Sequence, residues 1–253
     1  IQNAQGDAGR MATIADAMIT EGVTVLAIVN LDSESGAAIE EKAKAAGVQT
    51  IDYDRLTLNG SADYYVSFDN TKVGELQGEG LSQCLGDKAA NIVYLNGAPT
   101  DNNATLFSQG AHNVLDGKTN YTKVAEQAVP DWDNQQAATI FEGMYTQAAG
   151  KIQGVLAAND GLGNAAISIL KKNGVNGTVP VTGQDATVQG LQNILAGDQC
   201  MTVYKAVQKE AAGLADLAIA LINGEADQTT GEVEDTESGR MVPSRHLEPE
   251  AIF

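Results

Sequence analysis

Short apolar runs alternate along the whole chain with segments whose apolar residues recur at helical spacing. Met11, Ile14, Ala15, Met18 and Ile19 keep that spacing, Gly22 breaks it, and Val23–Val29 reads as a buried strand. Ala38, Ile39, Lys42, Ala43 and Ala46 repeat the helical pattern, Gly47 stands just past the helix end, and Val48–Tyr53 follows as a strand. Tyr64–Phe68 is a short strand, and a helix over 71–85 carries Val73, Leu76, Leu81 and Cys84 on one side. Further strands are predicted at 91–96, 122–127, 152–158, 178–183 and 199–204. They alternate with helices at 103–116, 134–148, 161–173, 187–196 and 206–222. The stretch 223–241, rich in Gly, Glu, Asp and Thr, is the long irregular one. Such alternation specifies the α/β class, with a mostly parallel sheet and right-handed crossovers.

Polar residues gather where the predicted strands end: Asp54-Arg55, Asp101-Asn102-Asn103, Trp132, Asn159-Asp160, Asp185 and Lys205. In an open parallel sheet ligands bind beyond the carboxyl ends of the strands, which makes these positions a candidate site. A sugar hydroxyl donates and accepts at once and so suits neighbouring carboxylates, carboxamides, a guanidinium and an ammonium. The apolar face of a pyranose suits the indole of the only Trp in the chain. The set reads as a sugar site.

Composition narrows the function. At 253 residues the chain holds one large or two medium domains. Lys+Arg 15 against Asp+Glu 33 gives a net charge of −18 with no basic stripe, which argues against nucleic acid and anionic lipid as partners. No apolar run reaches the length of a membrane span, and no export signal opens the sequence at Ile1-Gln2-Asn3.

Several features imitate other chemistry. Gly161-Leu162-Gly163-Asn164-Ala165-Ala166 fits the outline of a dinucleotide fingerprint, with Asp185 near the end of the next strand. Asn159-Asp160 intervene where the tight turn belongs, and Asp160 sets a negative charge where a pyrophosphate would lie. Close helix packing with an Asp cap is the simpler reading. Asp131-Trp132-Asp133-Asn134 lacks the glycine and distal glutamate of a calcium loop and reads as a turn and helix cap. Only His112 and His246 are present, without a nucleophile elbow or metal spacing of His and Cys. Asp54 and Asp101 form a conceivable glycosidase pair, but Asp54 beside Arg55 suits an acceptor better than a general acid. No catalytic residue, cofactor or metal is expected.

Six ordered motifs carry a family resemblance. Tyr53-Asp54-Arg55, Ser67-Phe68-Asp69-Asn70 with Val73-Gly74-Glu75-Leu76, Asp101-Asn102-Asn103-Ala104, Gly183-Gln184-Asp185-Ala186, Met201-Thr202-Val203-Tyr204-Lys205 and Val242-Pro243-Ser244-Arg245 resemble the D-xylose-binding proteins of bacterial ABC sugar importers. The likeness runs from about residue 3 to residue 249. It implies the two-lobed fold of type I periplasmic binding proteins, each lobe a mostly parallel sheet flanked by helices, joined by three crossing strands with the sugar between. The first lobe then takes 1–69 and 206–241, and the second 70–205 and 242–253. Carried over by position, Asp54, Arg55, Asp101, Asn103, Trp132, Asn159, Asp185 and Lys205 are the sugar contacts.

The same resemblance implies an exported, extracytoplasmic monomer, periplasmic or anchored as a surface lipoprotein, that delivers D-xylose or a similar aldopyranose to the permease of an ABC importer. A receptor for glucose, arabinose or several aldoses stays open beside it, and an NAD-dependent oxidoreductase rests on the Gly161 fingerprint alone. The family carries a strand–helix unit before the position of Ile1 that this sequence lacks, so a segment outside it or another chain is expected to complete the first lobe. Cys84 and Cys200 fall in one lobe. In an exported protein they form a disulfide or stay as two buried thiols, and geometry decides between these.

Overall fold

The computed structural model describes residues 1–225 and 228–253. In chain order its elements are α1 (Ala8–Thr20), β1 (Val25–Ile28), α2 (Ser33–Ala45), β2 (Gln49–Tyr53), β3 (Tyr64–Phe68), α3 (Asn70–Leu85), β4 (Ala90–Asn96), α4 (Asn102–Leu115) and β5 (Tyr121–Ala128). There follow a short 3-10 turn (Pro130–Trp132), α5 (Asn134–Gln147), β6 (Gly154–Ala157), α6 (Asp160–Lys172), α7 (Val188–Leu195), β7 (Thr202–Tyr204), α8 (Val207–Asn223), β8 (Gly231–Glu234), β9 (Met241–Leu247) and β10 (Glu250–Ile252). Two compact units result. Unit 1 holds Ile1–Phe68, Thr100–Asn103 and Ala206–Leu247, and unit 2 holds Asp69–Pro99, Ala104–Lys205 and Glu248–Phe253.

Unit 1 is a five-stranded sheet in the order β1-β2-β3-β9-β8, parallel except for the β8–β9 pair. Its first two helices start where short polar side chains satisfy open backbone amides: Asp7 accepts from Arg10 and Asp32 from Ser35. Gly47 ends the second helix region at φ 73°, a conformation that a side chain disfavours. Ala15, Leu26, Ile28, Ile39 and Ala43 pack one side of the sheet, while Leu217 of α8 meets Ile51 and Val66.

Unit 2 is built on the parallel order β5-β4-β6, extended by bridges from Val155 to Val181 and from Gln184 to Val203. β10 closes antiparallel on β7. Phe141 of α5 and Leu162, Ile169 and Leu170 of α6 fill the core with Val155 and Val181. Cys84 and Cys200 are joined by a disulfide with Cα atoms 6.5 Å apart.

Several expectations change. The strand expected at 178–183 reduces to the Val181 bridge, since Pro180 has no N–H to donate to a ladder. β8 lies inside the stretch read as irregular; it is a charged edge strand, a composition that hides the alternating signal. Residues 226 and 227 of that stretch lie outside the described residues. Two lobe boundaries also move. β9 pairs with β3, which puts Val242–Leu247 in unit 1 rather than in the second lobe. Thr100–Asn103 joins unit 1 as well, because Asp101 and Asn103 bond to the turn after β2.

Candidate functional site

In unit 1 the site residues sit on the turn that leaves β2. Asp54 takes a left-handed backbone at φ 66°, which reverses the chain and turns its carbonyl toward three donors. Ser67 Oγ donates to that oxygen at 2.9 Å, Tyr65 Oη at 3.2 Å and Asn103 Nδ2 at 2.9 Å. Burial, ahead of nearby charges, pushes the Tyr65 hydroxyl far up, so it stays protonated and able to donate. Beside it, burial and then the charges of Glu210 and Asp54 push Tyr53 up to about 12.

Arg55 ties this turn to the start of α4. Its Nε lies 3.1 Å from Asp101 Oδ2 and 3.9 Å from Asp54 Oδ2, and Asp101 Oδ1 accepts the Asn103 amide at 3.0 Å. Asp101 and Asn103 are each 3% exposed, so the ion pair is screened little by solvent. The structure thus brings Asp54, Arg55, Asp101 and Asn103 into one group, with carboxylate acceptors on either side of a guanidinium.

In unit 2, Trp132, Asp185 and Lys205 form a second group. Lys205 Nζ lies 3.9 Å from Asp185 Oδ1 and 5.7 Å from the centre of the Phe107 ring. Phe107 meets Trp132 edge-on at 6.4 Å. Asp131 and Trp132 both take left-handed backbones, at φ 54° and 55°, before Asp133 caps α5 by accepting from Gln135 and Gln136. The turn and cap expected there are borne out. The indole presses on Gly97 so closely that a Cβ there would come 2.0 Å from its ring. Trp132 is therefore half-buried packing as well as a possible stacking face. Asn159 ends β6 and caps α6, its Oδ1 accepting from Leu162 at 2.9 Å.

Phe107 escaped the sequence reading because it sits mid-helix on α4, where an aromatic signals core. The only sign of its second contact was the position of Lys205, far along the chain. Asn30, just after β1, also escaped, although a polar residue at a strand end was the rule that found the others. It donates to Arg55 O at 3.1 Å and to Thr57 Oγ1 at 2.8 Å.

The glycine-rich start of α6 has a packing account. Asn159, rather than Asp160, supplies the cap. Asp160 is 1% exposed and faces inward: Oδ2 accepts from the Thr187 amide at 2.8 Å and hydroxyl at 2.9 Å, Oδ1 from Gln199 Nε2 and Thr202 Oγ1 at 2.8 Å each. At Gly163 a Cβ would lie 2.9 Å from Thr182 O, so that glycine brings helix and strand together.

A hollow of about 520 Å³ in unit 1 is lined by Met11, Ile14, Met18, Leu26 and Ile28 with the N-terminal residues. It includes none of the eight residues above, and an apolar lining leaves a polyol's hydroxyls without partners. Among the described residues no cluster of His, Cys, Asp and Glu is arranged to hold a metal, and no helix is long and apolar enough to cross a membrane.

Residues 1–226 match the periplasmic binding protein domain family. The D-xylose-binding periplasmic protein of Escherichia coli is 35% identical over 98% of this chain and 75% of its own length. The multiple sugar-binding periplasmic receptor ChvE of Rhizobium radiobacter is 33% identical over 100% of this chain and 77% of its own. Among solved structures, a carbohydrate transporter solute binding protein from Chloroflexus aurantiacus in complex with D-glucose has a TM-score of 0.89 at 28% identity, covering 98% of this chain and 81% of that one. The resemblance carried by the six ordered motifs is thereby borne out, and the chain belongs to the periplasmic binding protein family.

Proposed function

We propose that this protein is an extracytoplasmic receptor that captures a monosaccharide, D-xylose first among them, and delivers it to the permease of an ABC importer. The observation that carries the reading is the Asp54–Arg55–Asp101–Asn103 group, in which acceptors and donors lie within 3.9 Å of one another between the turn after β2 and the start of α4. Groups of this kind match vicinal hydroxyls, each of which donates and accepts. Asp185, Lys205, Asn159 and Trp132 supply the same chemistry and a stacking face from unit 2. The reading takes the two units for the two lobes that the resemblance implies, in a protein that acts as a monomer.

Xylose is preferred because relatives named for it, from Escherichia coli and Haemophilus influenzae, are 35% and 34% identical. A broader aldose range is the second reading, favoured by the multiple sugar-binding receptor and by the glucose-bound structure. The named relatives are binding proteins, and no catalytic step is assigned here. Calorimetric titration with D-xylose, D-glucose, L-arabinose and NAD tests the reading. Saturable heat with an aldose and none with NAD is expected. Silence with every aldopentose and aldohexose sinks it.

A further inference from the structure

Beneath the Asp54–Arg55 turn lie two carboxylates with no surface exposure, Glu40 on α2 and Asp52 on β2, each 0% exposed. Glu40 Oε2 accepts from the amides of Ser61 and Ala62, the latter at 2.8 Å. Asp52 Oδ2 accepts from the Thr57 amide at 2.6 Å, and Oδ1 from the Thr57 hydroxyl at 3.0 Å. The Thr57 hydroxyl in turn accepts from Asn30, which also holds Arg55 O. Residues 55, 57, 61 and 62 of the β2–β3 loop are therefore fastened from below by two acids and one amide.

The packing leaves no slack around these bonds. A Cβ at Gly60 would lie 2.5 Å from Glu40 Oε2 and 2.8 Å from Thr57 O, and one at Gly36 on α2 would lie 2.8 Å from Thr57 Oγ1. The two carboxyls are also within hydrogen-bonding reach of each other. Two such groups in a dry site do not both ionise. A single proton between them supplies the donor that Glu40 Oε1, buried with no partner, otherwise lacks.

We propose that Glu40 and Asp52 are positioning residues for the sugar site, acting through the β2–β3 loop to hold Asp54 and Arg55 in place. The proposal rests on the assignment of Asp54 and Arg55 to the sugar. The shared proton resides on Asp52: burial first, then the charge of Glu40, push its carboxyl well above the usual carboxylate range against the pull of the Thr57 bonds. A group with a raised folded pKa contributes stability at low pH that is lost as pH rises through that value. Raising the pH through that value therefore charges Asp52 beside Glu40, loosens the loop and weakens sugar binding. Other titratable and charged groups at this loop are Tyr65 from β3, which feels the charge of Asp52, Asp63, which accepts from Thr50 on β2, the buried Asp235, which accepts from the Asn59 amide at 2.8 Å, and Arg240, which donates to Ala62 O at 2.7 Å.

The test compares Asp52→Asn, Asp52→Ala and Leu26→Ala, the last a core truncation in β1 that weakens unit 1 away from the loop. Sugar dissociation constants across pH are read beside hydrogen exchange of the Thr57, Ser61 and Ala62 amides. D52A is expected to weaken binding about tenfold and to speed exchange at these amides. D52N, which keeps the uncharged shape, is expected to bind like the wild type below the raised Asp52 pKa and to lose the decline that the wild type shows above it. Equal weakening by D52A and L26A at matched loss of melting temperature overturns the positioning role, and a wild-type pH profile identical to that of D52N overturns the shared proton. Should the wild type bind no monosaccharide, the functional reading falls, and unchanged exchange in D52A would overturn the loop clamp separately.

Discussion

Asp160 offers the sharpest test of how unit 2 is held together, because four donors converge on one buried carboxylate. In Asp160→Asn one oxygen becomes an NH₂ group. If it replaces Oδ1, it faces Gln199 Nε2, a donor against a donor, while the Thr202 hydroxyl can rotate to accept. One buried donor is then unsatisfied, at about 1–3 kcal/mol. The remaining bonds lose their charge assistance, about 1 kcal/mol for each of the two from Thr187. The sum is about 3–5 kcal/mol, which is a large share of a typical domain's stability. Trp132 is the only Trp and belongs to unit 2, so its fluorescence during guanidinium unfolding follows that unit alone. The exposed Asp87, also in unit 2, supplies the control Asp87→Ala, expected to change little. A D160N midpoint within about 1 kcal/mol of wild type would refute the account of Asp160 as a buried hub. Gly190→Ala carries the same expectation by a steric route, since its Cβ would come 2.1 Å from Asp160 Oδ2.

Three further outcomes are expected. Arg55→Ala should weaken sugar binding at least tenfold in calorimetry and also lower the melting temperature, because the buried Asp101 loses its guanidinium partner. Burial lowers the His112 pKa, but its bonds to Glu126 at 3.0 Å and Asp116 at 2.8 Å outweigh this and raise it. Its contribution is then complete below its ordinary pKa and lost as pH rises through the raised one, so His112→Gln should flatten the stability profile in that window. Burial pushes Glu126 up, but Lys123, His112 and Asn96 outweigh it and hold it down to about 2, so its contribution is complete above its ordinary pKa and is lost as the pH falls from there through about 2. Reducing the Cys84–Cys200 bridge, which spans 116 residues, should cost about 3–5 kcal/mol in urea unfolding, and an unchanged midpoint would argue against its closing the loop in the unfolded chain.

The sequence was most readable where one residue's type determined its local structure. Gly47 and Asp133 punctuate helices as their residue types dictate, with Asp133 accepting from Gln135 and Gln136. Readability failed where pairing depends on a distant partner. β8 shows only Val233 turned partly inward among charged neighbours, and nothing near it in sequence announces that β9 will pair with it. The same distinction runs through the site. Asp54 and Asp101 in unit 1, and Asp185 and Lys205 in unit 2, were singled out because each follows a predicted strand, a position that topology sets.

What the local rule misses is the second job a site residue does. Trp132 looked like a ligand platform because polar residues flank it, yet its ring also fills space against Gly97 and Phe107. Removing it therefore takes away packing along with any stacking face, and a loss of stability alone would not show that it stands outside the site. Asn159 likewise spends its oxygen on a helix cap. The converse holds for Asp52 and Glu40, which sit in strand and helix interiors where acids are poorly tolerated. A buried carboxylate costs stability unless something satisfies it, so two of them under a turn carrying Asp54 and Arg55 call for an account in terms of that turn. Apart from their contact with each other, they bond to the loop, at the Thr57, Ser61 and Ala62 amides and the Thr57 hydroxyl. The fold itself is secured elsewhere, by Ile39, Ile51 and Val66, which makes the shape of the loop the property these two acids most directly control.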